Sequence, residues 1–301
     1  MNEQKRNILV TGAAGYIGTH VLLALYERGY TEGIVPVDNF VKSDPAYVPF
    51  YTPVRADIRD EHTMAELFQR YRFDAVIHLA AHTEVAESVH LPFKYYDTNL
   101  GGTISLLRLC RQFNVAHFIF SSTAAVYQAP ESQQALTEDS ALAPENPYGR
   151  SKQLAEEMIR SWAGETGGTY INLRYFNVAG ADPQMRAGQY WPEATHLIKV
   201  AAQVATNKRG HLQIYGADYP TEDGTCVRDY VHVTDLAEAH CAALNHIFNG
   251  GASNTLNCGY GDGTSVKEVI DTIRSRHDPA FPFYYAQRRA GDPAYLVADN
   301  R

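Results

Sequence analysis

The feature that most constrains this sequence is an apolar strand that leads directly into a glycine-rich turn and a helix. Residues 7–11 have the composition of a buried strand, residues 12–18 (GAAGYIG) form the turn, and the helix is predicted over residues 19–28. Glycines let a backbone approach a pyrophosphate closely, and the free N–H groups at a helix start attract its charge. A tight turn without a ligand is the alternative, but the strand-turn-helix order favours a dinucleotide site. The glycines of this turn are Gly12, Gly15 and Gly18.

The next apolar strand, predicted over residues 33–37, ends in an acidic residue that bears on which dinucleotide is bound. Asp38 lies about twenty residues beyond the glycine turn, where a carboxylate can accept hydrogen bonds from both ribose hydroxyls. The same carboxylate would repel a 2'-phosphate, and Asn39 rather than an arginine follows it. The sequence therefore favours NAD over NADP.

Strand and helix patterns alternate through the first half of the 301-residue chain. Near-continuous apolar strands separated by helices predict an α/β fold with a doubly wound parallel sheet, whose ligands lie beyond the strand carboxyl ends. Loops rich in glycine, proline and tyrosine follow, which indicates a smaller C-terminal lobe that binds substrate. We expect residues 1–176 to form the nucleotide-binding domain and residues 177–301 the substrate lobe, with residues 227–258 returning to the first. Further strands are predicted over 52–56, 75–79, 117–121 and 170–174, and helices over 61–71, 95–113, 147–162 and 233–248.

A tyrosine and a lysine lie one helical turn apart in residues 146–152 (NPYGRSK). Pro147 suits the first turn of a helix, so Tyr148 and Lys152 share one face near the helix start. A nearby ammonium group favours phenolate and lowers the pKa of a phenol from about 10. Tyr148 is therefore a candidate general base. An ordinary surface pair on an amphipathic helix is the alternative that this motif alone leaves open.

Hydroxyl side chains follow the strand predicted at residues 117–121. Ser121, Ser122 and Thr123 lie where this strand end should face the same crevice as Tyr148. Local turn hydrogen bonds explain the two serines equally well, and we assign a role in the chemistry to Thr123.

Composition argues against several classes of protein. The net charge of -8 disfavours a general nucleic-acid surface. No apolar run is long enough to span a bilayer and no signal-type segment opens the sequence, so we expect a cytoplasmic protein without a membrane partner. The cysteines lack C-x-x-C spacing, and His78 and His82 lie outside any H-E-x-x-H helix, so reduced thiols and no metal are predicted.

Motifs along nearly the whole chain make it similar to a known family. They are TGAAGYIG, VDNF, ADIRD, VIHLAAH, AESVHLPFKYYDTN, FSSTAAVY, NPYGRSK, LRYFNVAGADP, IYGADYPTEDGTCVRDYVHVTDLAEAH and RRAGDPAYLVAD. The chain resembles the extended short-chain dehydrogenase/reductases, which have a Rossmann-type fold. The last two long stretches resemble the branch of UDP-glucose 4-epimerases in particular.

The resemblance implies an NAD-dependent isomerase that interconverts UDP-glucose and UDP-galactose. A hydride from C4 of the sugar would pass to tightly bound NAD while Tyr148 removes the 4-hydroxyl proton. The 4-keto sugar would turn over, and the hydride would return to its opposite face. Thr123 would hydrogen-bond the reacting hydroxyl, and Lys152 would bind the nicotinamide ribose and lower the pKa of Tyr148. The helices predicted at 95–113 and 147–162 resemble the family's dimer-forming pair, so a homodimer is expected.

The resemblance also assigns binding residues. Together with Tyr148, Lys152 and the glycine turn, the implied cofactor contacts are Tyr16, Ile17, Asp38, Asn39, Asp57, Ile58, Leu79, Ala80, Ala81, Asn99 and Phe176. The implied contacts to the nucleotide sugar are Thr123, Asn177, His196, Leu197, Tyr215, Arg228, Tyr230, Arg289 and Asp292. Their chemistry agrees, because arginines suit a diphosphate and a carboxylate suits ribose or uridine hydroxyls.

Some positions depart from the family pattern. Thr83 stands where the family often has lysine, and His196 replaces a common asparagine. Leu296 stands where the family limits the room beside the sugar, so the sequence leaves acceptance of an N-acetyl group open. Relatives usually continue past the position of Arg301, which suggests a partial chain or a lobe that closes differently.

Other reactions of the same fold can be weighed by residue. Nucleotide-sugar dehydratases and decarboxylases carry acidic residues where this chain has Ala124 and Ala125, so both are disfavoured. A 4-reductase, or a 4-epimerase for a UDP-N-acetylhexosamine or UDP-uronate, stays open. A non-catalytic NAD-sensing module is the alternative outside enzymes, although such proteins commonly lose the tyrosine or the lysine.

Overall fold

The structure of the protein, a computed structural model, describes residues 6–130, 132–289 and 291–300, so Arg301 lies outside the described residues. In chain order the strands are β1 (Ile8–Thr11), β2 (Ile34–Asp38), β3 (Val54–Arg55), β4 (Ala75–His78), β5 (His117–Ser121), β6 (Thr169–Tyr175), β7 (Asn177–Ala179), β8 (Leu212–Tyr215), β9 (Val227–His232), β10 (Asn254–Cys258), β11 (Gly263–Ser265), β12 (Phe283–Ala286) and β13 (Tyr295–Leu296). The α-helices are α1 (Tyr16–Glu27), α2 (Glu61–Tyr71), α3 (Val85–His90), α4 (Pro92–Tyr95), α5 (Gly102–Gln112), α6 (Pro147–Thr166), α7 (Leu197–Ala205), α8 (Val233–Phe248) and α9 (Val266–Arg276).

A parallel sheet organises the larger part of the molecule. Across the described residues its seven strands run in the order β10-β6-β5-β4-β1-β2-β3, and the order changes direction between β1 and β4. Both of these central strands are buried at every residue, because helices cover the two faces of the sheet. The predicted doubly wound α/β fold is confirmed.

The helices form one layer on each face of the sheet. On one face α1 packs against α8, with Leu22 and Leu25 in the same apolar cluster as Leu244. On the other face α2, α5 and α6 share a second cluster, to which Leu106 and Ile159 belong. None of the helices in the described ranges combines the length and the apolarity needed to cross a membrane.

Short strands build the smaller lobe. Strand β9 pairs with β7, β11 and β13, while β8 pairs with β12 beside α7 and α9. Strand β9 opens the segment 227–258 that we expected to return to the large sheet, but it belongs to the smaller lobe. Only the rest of that segment joins the large sheet, where α8 packs on its face and β10 pairs with β6.

Several element boundaries differ from the predicted ones. Helix α1 begins at Tyr16, three residues earlier than expected, because the turn itself ends at the cap residue Gly15. The helix predicted over residues 95–113 is divided, since a π-helical segment (Tyr96–Gly101) separates α4 from α5. The apolar spacing of that region is compatible with either form, so the pattern could not show the change.

A buried ion pair ties α6 to β6. The Arg174 guanidinium donates from Nε to Glu156 Oε1 at 3.0 Å and from Nη2 to Oε2 at 2.6 Å, and both side chains are almost fully buried. Ser122, just past β5, donates its hydroxyl to the same carboxylate at 2.5 Å. Three neighbouring segments therefore meet at Glu156.

We predict that Glu156→Gln lowers the free energy of unfolding by about 3–5 kcal/mol, because it leaves the buried Arg174 charge without its counterion. Glu165→Gln on the same helix is the matched control. Glu165 pairs with Arg111 at the surface, where an ion pair contributes at most about 1 kcal/mol. Chemical denaturation of both variants measures the difference, and equal losses would contradict the assigned role of the buried pair.

Candidate active site

A large cleft lies along the carboxyl edge of the parallel sheet, between it and the smaller lobe. Its volume is about 1000 Å³. The glycine turn, Asp38 and Tyr148 line it from the large sheet, and Tyr215 and Arg228 line it from the smaller lobe. Both halves of the predicted site therefore open into one cavity.

The glycine turn holds β1, α1 and β4 closely together. Gly12 has a φ of 68°, and a Cβ atom there would lie 2.6 Å from the backbone nitrogen of Ala80. Only glycine fits that conformation and that approach without strain. The cleft is lined here by Gly12, Gly15, Tyr16, Ile17, Gly18, Leu79, Ala80 and Ala81.

The carboxylate of Asp38 is oriented by its surroundings at the end of β2. It accepts hydrogen bonds from the backbone N–H groups of Ala14 (3.0 Å) and Phe40 (2.8 Å), and from the Ser43 hydroxyl (2.8 Å). A carboxylate oxygen can accept more than one hydrogen bond, so Asp38 retains capacity toward the cleft. This geometry suits a pair of vicinal hydroxyls.

A second polar group lines the cleft beyond β3. Asn39 donates to the Asp57 carboxylate at 3.1 Å, and Arg59 donates to it from Nε and Nη2. The Arg59 guanidinium holds the pKa of Asp57 well below its usual range, despite partial burial. Asp57 is therefore ionised, and Ile58 lies beside it in the cleft wall.

The predicted reacting groups meet where α6 begins. Asn146 caps the helix by accepting from the Gly149 N–H at 2.9 Å. A Cβ atom at Gly149 would lie 2.2 Å from the Ala125 carbonyl oxygen, so glycine is what lets the helix start touch the segment after β5. Thr123 belongs to that segment and lines the cleft together with Tyr148, and its hydroxyl acts to lower the pKa of the Tyr148 phenol.

Lys152 lies one turn further along α6, behind the reacting hydroxyls. Its ammonium group donates to the Ser121 carbonyl at 2.8 Å and lies 4.6 Å from the centre of the Phe120 ring. It is 2% exposed. Lys152 therefore lies behind the side chains that line the cleft and is not itself a lining residue.

Burial shifts the pKa values of both Tyr148 and Lys152. It raises the pKa of the Tyr148 phenol above its ordinary value, although the hydrogen bond with Thr123 acts in the opposite direction. Burial also lowers the pKa of Lys152 to about 7, against the influence of the Glu156 carboxylate. Desolvation of the phenol is the largest effect on the pKa of Tyr148. That Lys152 lowers this pKa stays a prediction.

The side chain of Asn99 is also buried, and it does not line the cleft. Its side chain accepts from the His82 N–H at 2.8 Å, and it donates to the His82 carbonyl at 3.0 Å and to the Ser151 hydroxyl at 3.1 Å. It thus joins the π-helical segment to the loop after β4 and to α6. Phe176, by contrast, contributes directly to the cleft wall.

The residues predicted to contact a nucleotide sugar all line the cleft. Arg289 lies 3.7 Å from the Tyr215 ring centre, and Arg228 is 3.6 Å from the Asp292 carboxylate. The two guanidinium groups can donate to a diphosphate, and the Tyr215 ring and the Asp292 carboxylate lie beside them. This arrangement suits a nucleoside diphosphate. The other lining residues from this set are Thr123, Asn177, His196, Leu197 and Tyr230.

Sequence reasoning missed a group of lining residues in loops. Tyr47 and Tyr190 stack across the cleft with their ring centres 3.8 Å apart, and Lys42 pairs with Glu84 nearby. These residues lie in no recognisable motif. The only sequence signal for these residues was the aromatic pair Tyr190 and Trp191. Their contacts join positions far apart in the chain, so local patterns could not predict them.

Comparisons with known proteins agree with this geometry. The sequence model of the NAD dependent epimerase/dehydratase family matches residues 8–259. The UDP-glucose 4-epimerase of Azospirillum brasilense is 47% identical over 292 residues, covering 97% of this chain and 83% of that protein.

Solved structures are similar over almost the whole chain. The crystal structure of UDP-glucose 4-epimerase from Brucella ovis in complex with NAD has a TM-score of 0.91 and 42% identity, and the match covers 98% of this chain and 90% of that one. The enzyme from Bifidobacterium longum in complex with NAD+ and UDP has a TM-score of 0.90 and 38% identity, over 97% and 90% of the two chains. This chain therefore belongs to the NAD dependent epimerase/dehydratase family.

Proposed function

We propose that the protein is an NAD-dependent UDP-glucose 4-epimerase, an isomerase that interconverts UDP-glucose and UDP-galactose. The observation that carries this proposal is that Thr123 and Tyr148 line one cleft between a dinucleotide-type turn and a pair of arginines, with the Lys152 ammonium group buried behind them on the Ser121 carbonyl. The names of the most similar relatives support the same reaction.

The residues present fit NAD. Gly12 and Gly15 line the cleft where α1 begins, and a helix start with free N–H groups suits a pyrophosphate. The oriented Asp38 carboxylate suits ribose hydroxyls and disfavours a 2'-phosphate. Asp57 and Asn39 supply further polar contacts in the cleft wall. NAD, when bound, supplies reversible hydride exchange with the sugar carbon and a positive charge on its nicotinamide ring.

The reacting hydroxyl of the sugar meets Tyr148 and Thr123. The Tyr148 phenolate accepts the proton of the 4-hydroxyl and later returns it. The Thr123 oxygen accepts from the Ala125 N–H at 3.2 Å, which orients its own hydroxyl toward Tyr148 and the substrate. In this proposal Thr123 and Tyr148 both contact the reacting hydroxyl of the sugar.

Lys152 assists this step from its buried position behind Tyr148. It is almost completely enclosed, and one of its three donors is on the Ser121 carbonyl. We propose that another of its donors reaches the nicotinamide ribose of bound NAD, as the family resemblance implies. Positive charge near a phenol favours the phenolate, which opposes the effect of burial on Tyr148. The pKa of the base therefore depends on the charges assembled around it.

The smaller lobe binds the UDP part of the substrate in this proposal. Arg228 and Arg289 hold the diphosphate, and Asp292 accepts from hydroxyls of the nucleoside. We propose residues 1–176 as the NAD-binding domain and residues 177–301 as the UDP-sugar lobe. The pairing of β10 with β6 supports a return of the chain to the NAD-binding domain.

We also propose that the protein acts as a homodimer in the cytoplasm. A shallow depression on the outer surface of the π-helical segment and α5 combines apolar and charged side chains, which suits contact with a second copy. It is lined by Arg59, Tyr96, Asp97, Leu100, Gly101 and Ile104. The cysteines are free, and Cys110, Cys226 and Cys241 are buried, which agrees with a reducing compartment.

Purified protein incubated with UDP-galactose and no added cofactor should yield UDP-glucose, because the cofactor is retained. Chromatographic separation of the two nucleotide sugars gives the result. A protein that carries bound NAD but produces no UDP-glucose would overturn the proposed reaction.

Tyr148→Phe should retain bound NAD and lose on the order of a hundredfold or more in kcat, since it removes only the proton acceptor. Tyr26→Phe is the matched control, because Tyr26 lies at the surface and stacks on Phe50 away from the cleft. A fully active Tyr148→Phe variant would remove Tyr148 from the mechanism.

Light scattering at micromolar concentration should give twice the chain mass of 33.5 kDa. Ile104→Arg should shift the protein toward monomer, because it replaces an apolar side chain of the proposed contact by a charged one that would be desolvated there. Leu256→Arg is the control, since this partly exposed residue lies on β10, outside the helices proposed to pair. A stable wild-type monomer would refute the proposed dimer.

A further inference from the structure

Two tyrosine rings from distant parts of the chain stack at the edge of the cleft. Tyr47 belongs to residues 39–50, which we call the β2 loop, and Tyr190 belongs to residues 180–196, which we call the α7 loop. The ring centres lie 3.8 Å apart and the ring planes differ by 8°. Both residues line the cleft and remain partly in solvent, with exposed fractions of 43% and 37%. The reaction described above makes no use of either ring.

The β2 loop is held beside the carboxylate that we propose to bind ribose. The Ser43 hydroxyl donates to Asp38 at 2.8 Å, and the Asp44 side chain accepts from the Ala46 N–H at 2.9 Å. The second of these bonds caps a short 3-10 helix (Pro45–Tyr47). Tyr47 therefore ends a segment whose position is tied to Asp38.

The α7 loop is held against α1, the helix that follows the glycine turn. The Tyr16 hydroxyl at the start of α1 donates to the Gly180 carbonyl at 2.7 Å, and Arg186 pairs with Glu27 at the end of α1 at 2.6 Å. The Tyr190 hydroxyl donates to the Arg186 carbonyl at 3.2 Å. Tyr190 is therefore presented by a loop that is bonded to both ends of α1.

The two loops and the stack complete a closed path of protein beside the glycine turn. The path runs from α1 to the α7 loop, across the stacked rings to the β2 loop, and back to the sheet through β2. Asp38, the glycine turn and both rings line the same cleft. A dinucleotide held at the glycine turn and at Asp38 would therefore lie between the sheet edge and the stack.

We propose that the Tyr47–Tyr190 stack is a gate that closes over bound NAD and slows its release. The inference rests on the proposed function, because it takes NAD as the ligand of this part of the cleft. The proposed reaction needs such retention, since the hydride taken from the sugar must return from the same cofactor. Neither ring has to contact NAD in this role, because the gate acts through the contact between the two loops.

A stacked pair of rings suits a gate that opens occasionally. Such a pair shifts an equilibrium by roughly two- to tenfold beyond the burial of the rings, which holds two loops together without locking them. Each loop keeps its own anchors when the rings part, because the bonds to Asp38 and to α1 do not involve the stack. The loops can therefore separate and close again in the same arrangement.

Tyr47→Ala tests the gate. The holoenzyme is mixed with excess isotopically labelled NAD, and the label that stays with the protein after gel filtration is measured against time. We expect exchange roughly three- to tenfold faster than in the wild type, because the open arrangement of the loops becomes more populated. Tyr47→Phe keeps the stacked ring and should exchange at the wild-type rate.

Tyr285→Ala is the matched control for the loss of an exposed tyrosine. Tyr285 lies on β12, is 47% exposed and does not line the cleft. Exchange in this variant should therefore equal that of the wild type. Faster exchange in Tyr285→Ala as well would show a general loosening of the protein and would overturn the gate.

A double-mutant cycle with Tyr190→Ala separates a gate from two independent contacts with the cofactor. Both single variants remove the same stack, so the double variant should exchange no faster than the faster single one. Multiplied effects, or an effect of one tyrosine alone, would overturn the gate. If Tyr47→Ala does not fold, Tyr190→Ala alone decides, and exchange at the wild-type rate in that variant would reject the inference.

The two proposals fail in different ways. A wild-type protein that neither carries NAD nor binds it when added contradicts the proposed function, as does one that carries NAD but does not convert UDP-galactose. A wild-type protein that carries NAD and converts UDP-galactose, with a Tyr47→Ala variant that exchanges NAD equally slowly, contradicts only the gate.

Discussion

The candidate active site depends on the buried ion pair between the Glu156 carboxylate and the Arg174 guanidinium. The carboxylate holds Arg174 of β6 by two hydrogen bonds and Ser122 by a third, while its own helix carries Tyr148 and Lys152. A carboxylate and a guanidinium buried together are costly to desolvate, so each is tolerated only because the other satisfies it. That mutual dependence ties the middle of α6 to the carboxyl ends of β5 and β6, next to the hydroxyls of the site.

The same exclusion of water shapes the acid–base chemistry. Desolvation raises the phenol pKa of Tyr148 and lowers the ammonium pKa of Lys152 to about 7, so burial disfavours the charged form of both groups. A positive charge brought into the cleft acts against this preference and stabilises phenolate. Base strength is thereby linked to the presence of a cationic ligand and is low without one.

Local patterns predicted much of this molecule. The bounds of β5, α2 and α8 coincide with the predicted ones, because each has an unbroken apolar period and a clear stop. The glycine turn and Tyr148 line one cleft, and Lys152, one helical turn from Tyr148, lies buried behind it. Short motifs carry such information because their residues are neighbours in sequence and in space.

Other features could not be predicted from local patterns. The direction of the Tyr148 pKa depends on how completely the folded chain excludes water, and the stack of Tyr47 on Tyr190 joins two loops from different halves of the chain. Such contacts exist only after the elements have packed.

The position of β10 at the edge of the parallel sheet has a consequence for how the chain emerges from the ribosome. Strand β6 finds its inner neighbour, β5, among residues already made, but its outer neighbour begins only at Asn254. At roughly 5–20 residues per second, the intervening stretch takes on the order of ten seconds to synthesise. For that time the nascent sheet presents an unpaired edge, which is the kind of surface that other chains can add to. Protection of that edge during translation therefore matters for the yield of this protein in a cell.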